Sequence, residues 1–160
     1  NVVRATDGLF LECAREVAKE YPEIAVGDAN IDAVCMWLLK NPFDYDVLVA
    51  PNLYGDIISD LCAQMVGGLG FGCSANLGKD LAVFEPTHGS APKYAGTNKV
   101  NPLATVLAAK MMLDWLGEAE MAVRLETAVA AVIAEGAVRT YDMGGGNTTM
   151  EMAEAVAANL

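Results

Sequence analysis

DVLVAPNLYGDIISDLCAQMV, residues 46–66, reads as a buried strand, a turn and an apolar helix in immediate succession. Asp46 to Ala50 is short and rich in β-branched and aliphatic residues, the pattern of a strand covered on both faces. Pro51-Asn52-Leu53-Tyr54-Gly55 predicts a turn, and Asp56 to Val66 a helix. On either side of this stretch, Leu81 to Phe84 reads as a second buried strand and Ile24 to Val26 as a short one. Residues 7–20 predict an amphipathic helix with Phe10, Cys13, Ala14, Val17 and Ala18 on one stripe and Thr6 or Asp7 as cap. Asp32 to Lys40 predicts another, stopped by Asn41-Pro42. Gly67 to Gly78 is glycine-rich and reads as a loop; a long loop from the second strand reaches Asn101. Pro102 suits the first turn of a helix ending at Leu116, and Glu118 to Glu135 is the next. After a turn at Gly144 to Asn147, Thr148 and Glu151 form a capping box opening the last helix. Strands alternating with helices imply an α/β fold with a largely parallel sheet.

The 160 residues amount to one ordinary domain or a piece of a larger one, and 54% apolar residues exclude disorder. A formal charge of −11 argues against nucleic acid, whose phosphates need clustered Lys and Arg. No apolar run reaches the roughly 18 residues of a membrane span. Cys13, Cys35, Cys62 and Cys73 lie far apart without zinc spacing, so reduced thiols and a cytoplasmic or similarly reducing compartment are expected. The start at Asn1 without Met suggests a preceding segment.

Three stretches could carry chemistry. In NLYGDIISD, residues 52–60, Asp56 and Asp60 are spaced to share one helix face. Like charges there repel unless a hard divalent cation reverses the sign, as Mg²⁺ or Mn²⁺ would. The competing reading puts Asp56 at a helix N-terminus favoured by the dipole and Asp60 in water. Gly70-Phe71-Gly72-Cys73-Ser74-Ala75 formally satisfies the dinucleotide fingerprint, but a helix precedes it and no acidic residue follows at the right distance, which rejects a Rossmann assignment. The third stretch, FEPTHGSAPKYAGTNKVNP over residues 84–102, holds the only histidine, His88. A lone loop histidine suits a structural hydrogen bond as readily as catalysis. Lys93-Tyr94 could hold a phosphate monoester or could simply be exposed.

Taken in order, NLYGDIISD, VGGLG…SANLG and FEPTHGSAPKYAG…NP resemble the isocitrate/isopropylmalate dehydrogenase family of metal-dependent β-decarboxylating dehydrogenases, most of all its NADP-type isocitrate dehydrogenases. NVVRATDG looks like the segment following an active-site lysine, and YDMGGGNTT like the family tail. The resemblance covers nearly the whole chain and implies a doubly wound α/β fold that is not Rossmann, here as the carboxyl-terminal part of a longer chain. Residues 1–42 would belong to the smaller, dimer-forming domain and residues 43–160 to the larger, cofactor-binding one. Asp56 and Asp60 match metal-binding aspartates, and Asp32 a third carboxylate reaching that metal from the partner subunit of a homodimer, with a possible place in a proton path. Asn1 matches an asparagine beside the nicotinamide. Glu85, His88, Gly89, Ser90 and Ala91 match the loop around the adenosine half of the cofactor, and Asn101 an adenine contact. Lys93 and Tyr94 match the pair found in NADP-type members, and Tyr141 a second tyrosine on the phosphate side.

The resemblance implies NADP (alternatively NAD), Mg²⁺ or Mn²⁺, and a small 2-hydroxy di- or tricarboxylic acid: isocitrate, oxidised by hydride transfer and decarboxylated to 2-oxoglutarate. Rival readings are an NAD-dependent enzyme for isopropylmalate, homoisocitrate or tartrate, and a non-catalytic fragment or subunit. The family's catalytic lysine and tyrosine lie upstream of the part matched here, so residues 1–160 alone are expected to be inactive. Some NADP-type members carry arginine where Gly145 stands, which places the NADP expectation mainly on Lys93 and Tyr94.

Overall fold

The computed structural model describes residues 3–160, which divide into two compact units, 3–62 and 63–160.

In the first unit α1 (Arg4–Ala18) starts a turn earlier than its periodicity suggests, with Val3 at the cap, so Thr6 and Asp7 lie inside the helix instead of capping it. None of its residues is buried, the expected stripe included; Asp7, Leu11, Ala14 and Ala18 form its least exposed line. The next helix, α2 (Ile31–Lys40), buries Val34 and Leu38, and Asn41-Pro42 ends it in a short 3-10 turn at Pro42–Asp44. Then α3 (Asn52–Met65) begins at Asn52, so the predicted turn at 51–55 is in fact the first helical turn, closed by Gly55 N–H on the Pro51 carbonyl at 2.9 Å.

Neither Ile24–Val26 nor Asp46–Ala50 forms a strand. Both run without regular structure because a strand needs a ladder partner, and the described residues offer none. Val47 and Val49 are 80% and 75% exposed and Phe43 97%. Apolar side chains at such exposure mark surfaces that another element is expected to cover.

The second unit has its own core. Within the glycine-rich stretch read as loop, β1 (Cys73–Leu77) pairs antiparallel with β2 (Ala82–Pro86), Cys73 opposite Pro86 and Leu77 opposite Ala82. This two-stranded antiparallel sheet is the only one among the described residues, so they contain no parallel pairing. Against it packs α4 (Leu103–Trp115), whose Trp115 ring lies 6.2 Å from that of Phe84. Behind α4 come α5 (Ala119–Glu135) and then α6 (Thr149–Ala158). Leu103, Ala128, Val129, Val132, Met152 and Val156 form the core between these three helices. Lys110 joins α4 to α5 by pairing with Asp114 at 2.9 Å and Glu126 at 3.0 Å.

The capping box of α6 forms as its sequence predicts: the Glu151 backbone N–H donates to Thr148 Oγ1, and Glu151 Oε2 accepts from Thr148 N–H at 2.7 Å. These donors hold the Glu151 carboxyl below its ordinary value. With the folded-state pKa depressed, the stabilisation is present above the ordinary glutamate pKa of about 4.3 and disappears as pH falls through the folded-state value. Thr148→Ala is expected to destabilise the folded protein by about 1 kcal/mol at neutral pH. Urea midpoints for both forms measure this, and equal midpoints would mean that the cap carries no stability.

Candidate functional site

Asp56 and Asp60 lie one turn apart on α3, and both are exposed. Because the helix begins at Asn52, Asp56 falls in the second turn, where the helix dipole has largely faded. That weakens the dipole's hold on Asp56 and leaves two like charges one turn apart, where Asn52 Nδ2 donates to Asp56 Oδ2 at 3.2 Å and Ser59 Oγ to the Asp56 carbonyl at 3.1 Å. Hard carboxylate oxygens at that spacing fit part of the ligand set of Mg²⁺ or Mn²⁺. Asp32 is also exposed, in the first turn of α2. Among the described residues no three His, Cys, Asp or Glu side chains gather closely enough to hold an ion, so Asp32 does not join Asp56 and Asp60 within one chain. Tyr54, on the same helix, donates its hydroxyl to Asp7 Oδ2 at 2.8 Å, which ties α3 to α1 and raises the Tyr54 pKa.

The predicted cofactor residues of the second unit fall on β2 and the segment that follows it. Glu85, on β2, accepts from Asn76 Nδ2 at 2.9 Å. His88 Nδ1 lies 2.9 Å from the Gly89 carbonyl, which can only accept, so that nitrogen is the donor of the pair. Gly89 and Ser90 are exposed. Ala91 has φ 43° and ψ 59°, left-handed values disfavoured for any residue with a β-carbon and doubly so before proline. Such a conformation persists only where its surroundings impose it, and here it throws the chain into the 3-10 turn Pro92–Tyr94 that displays Lys93 and Tyr94.

Tyr94 meets Tyr141, the rings 5.7 Å apart and inclined by 36°. Lys93 Nζ stands 4.8 Å from the Tyr94 ring; Lys99 Nζ stands 4.8 Å from the Tyr141 ring and 5.8 Å from that of Tyr94. Hydrogen bonding to Lys93, and the charge of that ammonium, lower the Tyr94 pKa. Burial, followed by the bond to Tyr94, raises that of Tyr141. Lys93, Tyr94 and Tyr141 are thus brought together. Lys99 is the member that sequence reasoning missed, although it lies in the same stretch and keeps the cationic character of Lys93.

Asn101 is buried and its side chain already occupied: Oδ1 accepts from Leu103 N–H at 3.0 Å and Nδ2 donates to Asp142 Oδ2 at 3.0 Å. An adenine contact would fall to its second amide hydrogen or its backbone. Gly70 makes this arrangement possible, since a β-carbon there would sit 2.9 Å from Asn101 Nδ2 and collide with Asp142. Gly70→Ala should therefore cost about 1–3 kcal/mol by overpacking, read as a lowered thermal midpoint; an unchanged midpoint would show that the Asn101–Asp142 pair can move aside. Asn1 lies outside the described residues.

The sequence pattern of the isocitrate/isopropylmalate dehydrogenase family matches residues 1–156. The chain belongs to that family. It is 53% identical over 161 residues to the mitochondrial isocitrate dehydrogenase [NAD] catalytic subunit 5 of Arabidopsis thaliana, covering 100% of this chain and 43% of the relative. It is 51% identical over 160 residues to the 3-isopropylmalate dehydrogenase of Archaeoglobus fulgidus, covering 100% of this chain and 49% of the relative. The crystal structure of isocitrate dehydrogenase from Methylococcus capsulatus superposes with a TM-score of 0.93 at 46% identity, covering 99% of this chain and 48% of that one. The chain thus spans somewhat less than half the length of these relatives.

Proposed function

We propose that, within a longer chain, these residues serve an enzyme that oxidatively decarboxylates isocitrate to 2-oxoglutarate with NADP and Mg²⁺ or Mn²⁺. One observation carries the cofactor choice: exposed Lys93 and Tyr141 and half-buried Tyr94 gather into one cationic, hydroxyl-bearing patch, the chemistry that receives a phosphate monoester. Asp56 and Asp60 hold the metal from α3, and Asp32 approaches it from the partner of a homodimer, where it also relays a proton. The loop from Glu85 through Ala91 and Asn101 receives the adenosine half, and Asn1 reaches the nicotinamide. When bound, the nicotinamide accepts the hydride while the metal acts as Lewis acid and template. The chain's own contribution is to hold, orient and neutralise charge.

The same proposal accounts for the uncovered apolar surface. Residues 1–42 serve a dimer-forming domain and residues 43–160 a cofactor domain, whose wider, doubly wound parallel sheet takes up the extended stretch at 46–50. Four cysteines without a disulfide, and no helix among the described residues long and apolar enough to cross a membrane, fit the cytoplasm or another reducing space. A second reading, an NAD-dependent enzyme, is favoured by the Arabidopsis relative's NAD designation.

Steady-state rates of the full-length enzyme decide between them, measured with isocitrate, isopropylmalate, homoisocitrate and tartrate, each with both cofactors. The highest kcat/KM is expected for isocitrate with NADP. A maximum with NAD, or with another acid, overturns the corresponding part.

A further inference from the structure

We propose that Lys99 is a specificity-determining cation of the cofactor site, joining Lys93 beside the paired rings of Tyr94 and Tyr141 so as to bind the 2′-phosphate of NADP. The inference rests on the NADP reading and adds to it a residue and a reason.

Gly145 is closed to a larger side chain. A β-carbon there would collide with the carbonyl and Cβ of Arg139, and the Gly145 N–H is committed to the Thr140 carbonyl at 2.9 Å. A long cationic side chain therefore cannot stand at 145 without displacing backbone. Yet a phosphate carrying up to two charges gains from a second cation, above all on a chain of formal charge −11. Lys99 supplies one from another element. Its ammonium lies 4.8 Å from the Tyr141 ring and 5.8 Å from that of Tyr94, the ring that Lys93 approaches to 4.8 Å. Among the described residues neither lysine forms an ion pair with a carboxylate. Lys99 lies beside the two rings and Lys93 beside that of Tyr94, to which it also hydrogen-bonds, so each three-donor ammonium keeps hydrogens for an anion.

The backbone around Lys99 is fastened in a way that a loosely exposed lysine would not need. On one side Asn98, at φ 52°, accepts Thr149 N–H on its carbonyl at 3.0 Å and Met150 N–H on its side chain at 3.2 Å. On the other, Thr149 Oγ1 donates to the Val100 carbonyl at 2.5 Å. Upstream, Thr97 Oγ1 donates to the Tyr94 carbonyl at 2.7 Å. Lys99 is thereby carried between two residues anchored to the start of α6, on a strap tied back to the turn that bears Tyr94. Tyr141 follows Thr140, whose hydroxyl bonds Asp142 at 2.5 Å, and Asp142 in turn receives Asn101. Both tyrosines and Lys99 are thus held on one hydrogen-bonded frame, and little order remains to be imposed when a phosphate arrives.

The test uses the full-length enzyme with Lys99→Met, Lys99→Arg and, in parallel, Lys93→Asp. The readouts are the ratio of kcat/KM for NADP over NAD and the ratio of affinities for 2′,5′-ADP over 5′-AMP. Both ratios are insensitive to a partial loss of folded protein. Lys99→Met should lower each about tenfold, the lower end of what a charge-assisted contact contributes, and Lys99→Arg should restore most of it. If Lys93→Asp lowers the ratios and Lys99→Met does not, the role of Lys99 is overturned while the NADP reading stands. If neither substitution moves them, or the parent binds 2′,5′-ADP no better than 5′-AMP, both fail together.

Discussion

Replacing Asp56 and Asp60 together by asparagine in the full-length enzyme is expected to lower metal-dependent turnover by at least about 100-fold, the cost at which even outer-shell partners of metal ligands are felt. Stability should move the other way. Two carboxylates one helical turn apart repel each other by a few tenths of a kcal/mol when no cation lies between them. Since α3 begins at Asn52, the helix dipole offers Asp56 little in return. The metal-free double variant should therefore be at least as stable as the parent, while the parent alone gains stability on adding Mg²⁺ or Mn²⁺ by mass action. Opposite signs for activity and stability separate a ligand pair from a solvated helix face, which would show the small stabilisation and no loss of turnover. A double variant that keeps its Mn²⁺ dependence would remove Asp56 and Asp60 from the metal site.

How far the fold is legible depends on what each element needs from elsewhere. Helices carry their hydrogen bonds internally, so α2, α4, α5 and α6 start and stop within a few residues of where apolar spacing, Asn41-Pro42, Pro102 and the Thr148–Glu151 box place them. Strands depend on a partner. Asp46–Ala50 has the composition of a buried strand, yet the described residues provide nothing for it to pair with, and its valines stand exposed. The opposite error occurs at Cys73–Leu77, where flanking glycines suggest a loop but Ala82–Pro86 supplies a ladder. The glycines have a different task there: Gly70 and Gly72 admit the side chains of Asn101, Asp142 and Thr87 to places a β-carbon would fill.

The site is legible to the same degree. Lys93 and Tyr94 are adjacent in sequence and can be read directly. That Tyr141 packs on Tyr94, and that Lys99 overlooks both, depends on the strap at 97–100 meeting the start of α6, a long-range contact that no local pattern reveals. The occupied side chain of Asn101 is likewise invisible in sequence.

Cofactor preference should yield to substitution at the readable pair. Lys93→Asp with Tyr94→Ile in the full-length enzyme is expected to shift the kcat/KM ratio of NADP to NAD toward NAD by roughly ten- to a hundredfold, since charge-assisted contacts contribute about 1.5–3 kcal/mol each. The aspartate acts twice, repelling the 2′-phosphate and accepting from the free ribose hydroxyls of NAD. Removing Tyr94 also takes away the ring on which Tyr141 packs and over which Lys93 lies, so the two changes sit in one cluster and should not be additive. The chain's net charge of −11 opposes any phosphate, but at a screening length of about 8 Å in physiological salt it acts weakly against cations in direct contact. Raising the salt should therefore erode the parent's NADP preference only gradually. The reverse engineering, Gly145→Arg, is expected to fail as a route to stronger NADP selectivity, because its β-carbon strikes the Arg139 backbone before the guanidinium can reach the site. A parent that already prefers NAD, or a double variant with an unchanged ratio, would show that selection is made elsewhere than at Lys93 and Tyr94.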